Sequence, residues 1–447
     1  MPESAELVER YARPAPRYTS YPTANHFSPA IGRSEYRAWL AEVPRDPNLS
    51  LYLHIPFCEI LCHYCACTTK ATRRYEPVKR YVGALKTEIA HVAGLLLGRP
   101  SAAHVHWGGG SPSVLAPAEI LAITEVLRSS FAIPGTAEMA VEVDPRNTTP
   151  EKVAAFAEAG INRVSLGVQD FDDRVQEAIG RIQSFDLTRR TLDLFRERGV
   201  ASINIDLVYG LPHQTVESVA RTIELVVQLA PDRIATFGYA HLPQRVKPQR
   251  LIDGAALPGP QERYAQASLI VCMLEEAGYR RIGLDHFARS GDSLASKPLR
   301  RNFQGYTSDP ADALIGFGAS AIGKLPGGYA QNAVPTHHYE RLVAEHGIAT
   351  ARGIALSADD KVRAYLIERL MCDFRVSPED LVSQFGEAAR PILDDVASVL
   401  DRDEDGFLAF TGDAVEVTDR GRPFVRSICA RFDSYLTHGA GTHSTAV

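Results

Sequence analysis

Four cysteines lie within ten residues of one another, and their spacing is suited to a metal centre. Cys58, Cys62 and Cys65 form a Cys-x3-Cys-x2-Cys sequence, and Cys67 follows two residues later. A structural zinc site usually takes its ligands as two separated pairs, but the next cysteine after this cluster is the distant Cys272. A 4Fe–4S cluster normally binds four thiolates, so three cysteines on one loop indicate a cluster whose fourth iron binds another ligand. A zinc or redox loop is the alternative.

Composition and charge exclude several classes of protein. The chain has 447 residues and a net charge of −6, so it has no overall basic charge to attract nucleic acid or anionic lipid. Residues 1–12 carry acidic side chains and no apolar core segment, which argues against a signal peptide. No apolar run reaches the roughly 18 residues that a membrane helix needs. We therefore expect a cytoplasmic protein, in which the isolated Cys272, Cys372 and Cys429 are small buried residues.

Strand and helix patterns alternate along the middle of the chain. The predicted strands cover residues 50–55, 104–107, 138–143, 163–168, 202–208, 233–239 and 280–284. Helical spacing of apolar residues predicts helices from residue 79 onward and over 117–128, 150–159, 187–198, 214–229 and 261–277. Repeated strand–helix units indicate a parallel sheet with helices outside.

Polar residues, glycines and cysteines collect where these strands end. The positions concerned are the cysteine cluster, Gly108–Gly110, Glu142, Gln169, Asp206 and Tyr239. Parallel α/β sheets and barrels bind ligands at the carboxyl ends of their strands. The pattern therefore predicts one ligand site built from several strand ends.

The chain divides into four predicted segments. These are an N-terminal arm over 1–48, a barrel with a substrate-site extension over 49–350, a helical C-terminal domain over 351–436 and a disordered tail over 437–447. In the C-terminal domain, helices are predicted over 359–372, 378–384, 389–400 and 419–431, with a hairpin over 407–417. This order resembles a small winged-helix module, but its acidic residues argue against DNA binding. A cover for the barrel is the favoured interpretation.

The cysteine sequence, placed after a strand, resembles the signature of the radical S-adenosylmethionine enzymes. In that superfamily the fourth iron binds the amino and carboxylate groups of S-adenosylmethionine. Further segments are similar to its oxygen-independent coproporphyrinogen III oxidases. They begin at Arg17, Tyr52, Gly108, Gly167, Asn204, Tyr239, Asp285 and Arg301, and Cys67 and Gly421-Arg422 also match, so the similarity runs from Arg17 to Tyr435.

The resemblance implies an α/β fold: a partial, open (β/α)6 TIM-like barrel with a mainly α-helical C-terminal domain. It implies anaerobic oxidative decarboxylation of the ring A and B propionates of coproporphyrinogen III to vinyl groups, which gives protoporphyrinogen IX. The implied cofactors are a 4Fe–4S cluster and two molecules of S-adenosylmethionine, whose reductive cleavage yields a 5′-deoxyadenosyl radical. The expected partners are the substrate, an unidentified flavodoxin- or ferredoxin-like electron donor and an electron acceptor. The expected oligomeric state is a monomer, with no nucleic-acid or membrane partner.

Site residues also follow from the resemblance. Cys58, Cys62 and Cys65 would bind the cluster. The positions expected to contact S-adenosylmethionine are Tyr52, Tyr64, Gly108, Gly109, Gly110, Ser111, Glu142, Gln169, Arg181, Asp206, Ala240 and Ile322. The residues expected to take part in catalysis are Tyr52, His54, Cys67 and Arg181, although residue chemistry indicates no role for His54 or Cys67.

The side-chain chemistry fits several of these assignments. The Arg181 guanidinium is suited to binding a carboxylate bidentately. Glycines at 108–110 would let backbone approach the methionine moiety where a Cβ would block it. Gln169 and Asp206 can hydrogen-bond ribose hydroxyls, while positions 64 and 240 would contact adenine largely through backbone. For the substrate carboxylates, Arg289, Arg300 and Arg301 are possible partners, although arginines near a loop are more often solvated.

Three departures from the family pattern lie beside the expected site. Ala66 stands where glycine is usual, Thr68 where asparagine or histidine is common, and Gly180 where asparagine is expected. They leave open a paralogue with another substrate, such as a radical methyl or methylene transferase. A heme-binding or heme-delivery protein of the superfamily is a further alternative, and a zinc-stapled winged-helix regulator is the non-enzymatic one.

Overall fold

The computed structural model describes residues 2–436, 443, 445 and 446. The strands, numbered in chain order, are β1 Asn48–Ile55, β2 Phe57–Cys58, β3 Lys70–Ala71, β4 Ser101–Gly109, β5 Glu138–Val143, β6 Arg163–Gln169, β7 Ser202–Tyr209, β8 Arg233–Gly238, β9 Arg280–Ile282, β10 His286–Ala288, β11 Arg300–Asn302, β12 Gly305–Thr307, β13 Ala313–Phe317, β14 Ile322–Leu325, β15 Gly328–Asn332, β16 Thr350–Ala355, β17 Arg375–Val376, β18 Leu408–Thr411 and β19 Ala414–Val417. The α-helices are α1 Pro2–Tyr11, α2 Arg33–Ala41, α3 Glu76–Ala93, α4 Pro117–Ser130, α5 Pro150–Glu158, α6 Asp173–Ala178, α7 Phe185–Glu197, α8 Val216–Leu229, α9 Pro260–Glu276, α10 Ser293–Ser296, α11 Thr336–His346, α12 Ala358–Asp373, α13 Pro378–Phe385, α14 Arg390–Asp401 and α15 Val425–Ala430.

Six neighbouring parallel strands form the centre of one twelve-stranded sheet, in the order β1, β4, β5, β6, β7 and β8. Helices α3, α4, α5, α7 and α8 connect consecutive strands of this set. The sheet does not close, because β1 pairs on its other side with β13 and β8 pairs on its other side with antiparallel β10. The predicted partial, open (β/α)6 barrel is therefore confirmed, with a mainly α-helical C-terminal domain after β16.

The alternation of residues in β1 explains how this barrel holds its site. Leu49, Leu51 and Leu53 have no exposed surface and pack in the main core. Burial of each such side chain contributes about 1.5–3 kcal/mol, which fixes the strand's register. Because successive side chains of a strand point to opposite faces, Tyr52 and His54 then face the barrel interior.

A second core joins the two ends of the chain. Leu7 from α1, together with Tyr18 and Tyr21, packs with apolar residues of α12, the β18–β19 hairpin and α15. Within it the Phe407 and Phe424 rings stack at 4.9 Å between centroids. Residues before the barrel therefore fold together with the C-terminal domain.

Several elements differ from the sequence predictions. Strands β13–β16 were not predicted, because β13 and β15 are buried on both faces and show no alternation. Helices α1 and α2 lie in the segment predicted as an arm, and the last helix is only α15, after a 3-10 turn at Arg422–Phe424. Cys372 and Cys429 are buried as predicted, but Cys272 is exposed.

The predicted disordered tail falls mainly outside the described residues. Of its positions, Thr445 forms an antiparallel bridge with Pro14, and Ala446 donates its backbone N–H to the Arg13 carbonyl at 2.8 Å. In the part of the chain that the structure describes, no helix combines the length and apolarity required to cross a membrane.

Candidate active site

The cysteine loop emerges directly from the carboxyl end of β1. Its two ends are joined by the short parallel strands β2 and β3, in which Phe57 pairs with Lys70 and Cys58 with Ala71. The Cys58 sulfur also lies 3.3 Å from the Thr69 hydroxyl. The loop is thereby closed at its base while its four cysteines stay unpaired as free thiols.

Two arginines approach the loop, Arg146 from just after β5 and Arg181 from the segment between α6 and α7. Arg146 Nη2 and Arg181 Nη1 donate to the Cys62 sulfur at 3.3 and 3.5 Å. Asp144, which directly follows β5, pairs with Arg146 at 2.7 Å and with Arg181 at 3.1 Å. Burial would raise the pKa of Asp144, but the charges of Arg181 and Arg146 lower it. Sequence analysis missed Asp144 and Arg146, although their position just after a predicted strand was the available signal.

The donor set of the loop fits a 4Fe–4S cluster. The contact with Cys67 lowers the pKa of the Cys65 thiol to about 7, although burial alone would raise it. Burial raises the pKa of Cys58 to about 11, a shift that thiolate–metal bonding would overcome. Among the described residues, no three His, Cys, Asp or Glu side chains form a group that could hold one metal ion. Each thiolate of a 4Fe–4S cluster binds its own iron, and Cys58, Cys62 and Cys65 offer three such thiolates on one loop.

Tyr52 and His54 connect the barrel interior to the loop. The Tyr52 hydroxyl lies 3.0 Å from His54 Nδ1, and His54 Nε2 lies 2.9 Å from the Thr68 carbonyl. A carbonyl only accepts, so Nε2 carries the proton and Nδ1 accepts from Tyr52. Burial lowers the pKa of His54, which keeps this neutral tautomer. The Tyr81 hydroxyl, from α3, donates to the His54 carbonyl at 2.6 Å.

The glycine run at the end of β4 packs against the protein's own groups. The Gly110 and Ser111 backbone N–H groups donate to the Ile55 and Phe57 carbonyls, both at 2.8 Å. A Cβ at any of the three glycines would come closer than 3.0 Å to another group, namely the Glu142 carboxylate at Gly108, the His54 ring at Gly109 and the Phe57 carbonyl at Gly110. The sequence predicted that another group would lie close to the backbone of these glycines. In the structure the close groups are Glu142, His54 and the start of the cysteine loop.

Two predicted carboxylates face the barrel interior. Glu142 accepts from His106 Nε2 at 2.9 Å, and Asp206 accepts from Ser165 and Asn204, both at 2.7 Å. All five residues line one cavity of about 180 Å³. Burial raises the pKa of Asp206. Burial would also raise the pKa of Glu142, but the hydrogen bond with His106 lowers it.

Tyr64 and Ala240 meet through a residue that sequence analysis missed. Gln249 Nε2 donates to both backbone carbonyls at 2.9 Å. Gln249 lies in a 3-10 turn, 1% exposed, and no sequence motif marked it. These two hydrogen bonds, which we call the Gln249 clamp, hold the loop between Cys62 and Cys65 beside the segment that follows β8.

The other predicted positions lie at separate strand ends. Gln169 ends β6 with φ +74°, a backbone conformation that costs energy outside glycine and is typical of functional sites. Ile322 begins β14, and its carbonyl packs against Gly316, the register neighbour of Tyr52. Both positions border the end of the barrel from which the cysteine loop emerges.

The three departures from the family pattern have simple structural settings. Gly180 has φ +64°, a left-handed conformation that asparagine also tolerates, but a Cβ there would lie 2.8 Å from the His63 ring, so asparagine would need that ring to shift. Thr68 contributes its carbonyl to His54, a contact that does not depend on its side chain. Nothing in the structure explains Ala66.

Comparison with known proteins gives a consistent family assignment. The sequence families described as "Radical SAM superfamily" and "HemN C-terminal domain" match residues 52–226 and 356–424. The chain is 46% identical to the oxygen-independent coproporphyrinogen III oxidase of Bradyrhizobium diazoefficiens, over 99% of this chain and 100% of that protein. It is 40% identical to the enzyme of the same name from Escherichia coli, over 97% of this chain and 96% of that protein. The solved structure of coproporphyrinogen III oxidase (HemN) from Escherichia coli, described as a radical SAM enzyme, has a TM-score of 0.90 at 39% identity over 97% of this chain and 99% of that one. The chain belongs to the oxygen-independent coproporphyrinogen III oxidases of the radical S-adenosylmethionine superfamily.

Proposed function

We propose that the protein decarboxylates the ring A and B propionates of coproporphyrinogen III to vinyl groups, which yields protoporphyrinogen IX. In each conversion the propionate β-carbon loses a hydrogen atom to the 5′-deoxyadenosyl radical. The bond to the carboxylate then breaks to release carbon dioxide, and one electron passes to an acceptor. The observation that carries this function is an intact three-cysteine loop on an open (β/α)6 barrel, in a chain that matches these enzymes along nearly its full length.

The chain's own residues support this chemistry in defined ways. When bound, the 4Fe–4S cluster and S-adenosylmethionine supply the electron and the radical. Cys58, Cys62 and Cys65 would hold the cluster, and Arg181, whose side chain is 6% exposed, would offer charge beside Cys62 for the cofactor's carboxylate. Asp206, partly buried in the barrel interior, would accept hydrogen bonds from ribose hydroxyls.

The second contribution of the residues is to fix the strands beside the loop. The Tyr52 hydroxyl donates to His54 Nδ1 on β1 at 3.0 Å. Glu88 fixes the adjoining end of β13, because it accepts from the Gly318 N–H at 2.7 Å. These contacts hold the strand ends beside which the cofactor would bind.

Partners and location form part of the same proposal. The reaction needs one electron for each cleavage, for which a flavodoxin- or ferredoxin-like donor is suited, and an acceptor for the electron released with carbon dioxide. The free thiols favour a reducing cytoplasm. We propose a monomer that acts on coproporphyrinogen III without nucleic acid or membrane.

The decisive test is an anaerobic assay of the reconstituted protein with coproporphyrinogen III, S-adenosylmethionine and a reductant. Mass spectrometry should detect the monovinyl and divinyl products together with 5′-deoxyadenosine and methionine. A variant with Cys62→Ser is the matched control, because it keeps the fold but removes one thiolate. Absence of vinyl product from the iron-loaded wild-type protein would refute the function, and stoichiometric heme binding without turnover would favour a heme-delivery role.

A further inference from the structure

A basic cavity lies on the outer side of the sheet, beside the carboxyl ends of β7 and β8. Its volume is about 230 Å³. Among the described residues, the charged side chains that line it are five arginines and one aspartate: Arg17, Arg263, Arg281, Arg301, Arg426 and Asp285. The arginines come from five different parts of the chain: the segment between α1 and α2, α9, β9, β11 and α15. We call this space the arginine cavity.

The arginine cavity has far more positive than negative charge. Its one carboxylate, Asp285, is already 2.8 Å from Nδ1 of His286. Burial would raise the pKa of Asp285, but the neighbouring His286 and the charges of Arg301 and Arg17 lower it to about 2. Among the described residues, one ionised carboxylate thus lies beside the guanidinium groups of Arg17, Arg263, Arg281 and Arg301. An excess of positive charge at a partly buried site is costly, which favours the binding of an anion.

Most of these arginines are held in place by backbone carbonyls. Arg17 donates to the Gly238 carbonyl at 2.6 Å, and Arg263 donates to the Tyr239 carbonyl at 2.8 Å. Arg301 Nε donates to the Tyr18 carbonyl at 3.1 Å. Neutral carbonyls orient the guanidinium groups without cancelling their charge, so the donors are fixed in position before a ligand arrives.

Three of the arginines have incomplete hydrogen bonding. Arg263 Nε, Arg281 Nε and Arg301 Nη1 are buried without a hydrogen-bond partner in the described structure, whereas buried polar groups are normally paired. Guanidinium groups bind carboxylates through two parallel N–H bonds, so a cluster of lining arginines suits a ligand with several carboxylates.

The pKa values of two arginines show that their charges repel. Burial and the nearby charge of Arg17 lower the pKa of Arg426 to about 9. The pKa of Arg263 is lowered by burial and is also lowered by Arg17. Burial would lower the pKa of Arg301 as well, but Tyr306 and Asp285 raise it. Arg17 therefore lies close enough to Arg263 and Arg426 for like charges to act.

We propose that the arginine cavity binds the propionate groups of the tetrapyrrole that are not decarboxylated. This inference rests on the proposed function. The substrate carries four carboxylates, of which two survive the reaction and need a cationic partner throughout. Gly238, which lines the cavity, lies two residues before Ala240, one of the positions expected to contact S-adenosylmethionine. Its size suits propionate side chains rather than the whole macrocycle.

The proposal also separates the three arginines that the sequence suggested. Arg301 lines the cavity. Arg289 instead donates to the Pro231 carbonyl at 3.1 Å, at the opposite end of β8. The Arg300 side chain is 48% exposed and lies 4.0 Å from Glu368. Only the first of the three is expected to contact substrate.

The test compares Arg281→Met with Arg300→Met in the anaerobically reconstituted enzyme. Two measurements are made: the Kd for coproporphyrin III, the oxidised macrocycle with the same four carboxylates, by fluorescence titration, and the KM for coproporphyrinogen III. Arg281→Met should raise both values about tenfold or more, because a charge-assisted bidentate contact is lost. Arg300→Met should leave them unchanged.

Further readouts separate binding from folding. Arg281→Met also removes a like charge, so the thermal unfolding midpoint without ligand should be equal to or higher than that of the wild type, and S-adenosylmethionine affinity should not change. Arg281→Lys keeps the charge but loses the planar guanidinium group. Its Kd should lie between the values for the wild type and for Arg281→Met.

The outcomes are distinct. Unchanged Kd in both Arg281 variants, or an equal loss in Arg300→Met, would overturn the arginine cavity as a substrate site. Tight, Arg281-dependent binding of coproporphyrin III by a wild-type enzyme that forms no vinyl product would refute the proposed function and support the binding site.

Discussion

The Tyr52 hydroxyl donates to His54 Nδ1 at 3.0 Å, within one strand and across one residue. This contact sets the histidine tautomer, so that Nε2 donates to the Thr68 carbonyl in the cysteine loop. A residue of the barrel interior thereby determines the position of the last part of the loop, which contains Cys65 and Cys67. We propose that His54, for which residue chemistry indicated no role, is a positioning residue.

Replacing His54 should therefore loosen the cluster. His54→Ala removes the bond to the Thr68 carbonyl, and we expect the protein to retain less than about half of the wild-type iron after reconstitution, since a buried donor–acceptor pair contributes about 1 kcal/mol. Iron and sulfide are measured per protein after gel filtration. Tyr52→Phe keeps the ring and loses only the donor, so its iron loss should be smaller. Full iron retention in His54→Ala would contradict the positioning role.

A second prediction concerns the glycine run. Gly109 has φ +114°, and a Cβ there would lie 2.8 Å from the His54 ring, so Gly109→Ala combines backbone strain with a steric clash. We expect a loss of stability of about 2 kcal/mol or more together with loss of iron. Gly83→Ala is the matched control, because Gly83 lies exposed in α3 with nothing within 4 Å of its Cβ position. It should stabilise the protein by about 0.5–1 kcal/mol, and a similar loss in both variants would contradict the clash.

Sequence patterns predicted the barrel because its strands and helices repeat with regular spacing. Glu138–Val143 was predicted with the bounds that the structure shows. Strands such as Gly328–Asn332 could not be found in this way, since they are buried on both faces and contain glycine, glutamine and asparagine. Their burial depends on partners distant in sequence, and no local pattern reports it.

The candidate site also contains residues that a local sequence pattern predicts and residues that depend on distant partners. Cys58, Cys62 and Cys65 are close in sequence, so spacing alone indicated their chemistry. Gln249 and Asp144 act through contacts with residues 185 and 37 positions away, and only the folded chain brings these partners together. Strand-end position would have predicted Asp144, whereas the Gln249 clamp has no sequence signal.

A third prediction follows from the buried Glu88 in α3. Its carboxylate accepts from Tyr339, Asn332 and the Gly318 N–H, each at 2.7 Å. Burial raises its pKa from 4.5 to about 7. Because the folded pKa is raised, the stabilisation from proton binding is complete below about pH 4.5 and is lost as the pH rises through 7.

Wild-type protein should accordingly become less stable between pH 5 and pH 8, with a contribution from this group of up to about 3 kcal/mol. Glu88→Gln cannot titrate, and its unfolding midpoint should vary less over the same interval. Thermal unfolding at several pH values checks this, with Glu125→Gln on the exposed side of α4 as control. Parallel curves for wild type and Glu88→Gln would show that this carboxyl does not titrate there.

The last prediction distinguishes the contribution of Arg181 to cofactor binding from its ion pair with Asp144. Its Nη1 atom donates to the Asp144 carboxylate at 3.1 Å and to the Cys62 sulfur at 3.5 Å. Arg181→Ala should weaken S-adenosylmethionine binding by about tenfold to a hundredfold, the loss expected for a buried charged hydrogen bond. Arg146 still donates to Cys62, so the iron content and cluster spectrum should not change.

The same substitution leaves Asp144 with one cation instead of two, which should lower stability by about 1–3 kcal/mol. In an Asp144→Asn background this stability loss should be smaller, since no carboxylate loses a cation and only the Arg181 hydrogen bond to the Gly167 carbonyl is removed, whereas the loss of S-adenosylmethionine affinity should persist. Equilibrium binding and thermal unfolding of the four proteins of this double-mutant cycle measure both quantities. If the affinity loss also vanished in Asp144→Asn, Arg181 would act on the cofactor only by positioning Asp144, because a direct contact with the cofactor carboxylate does not depend on that side chain.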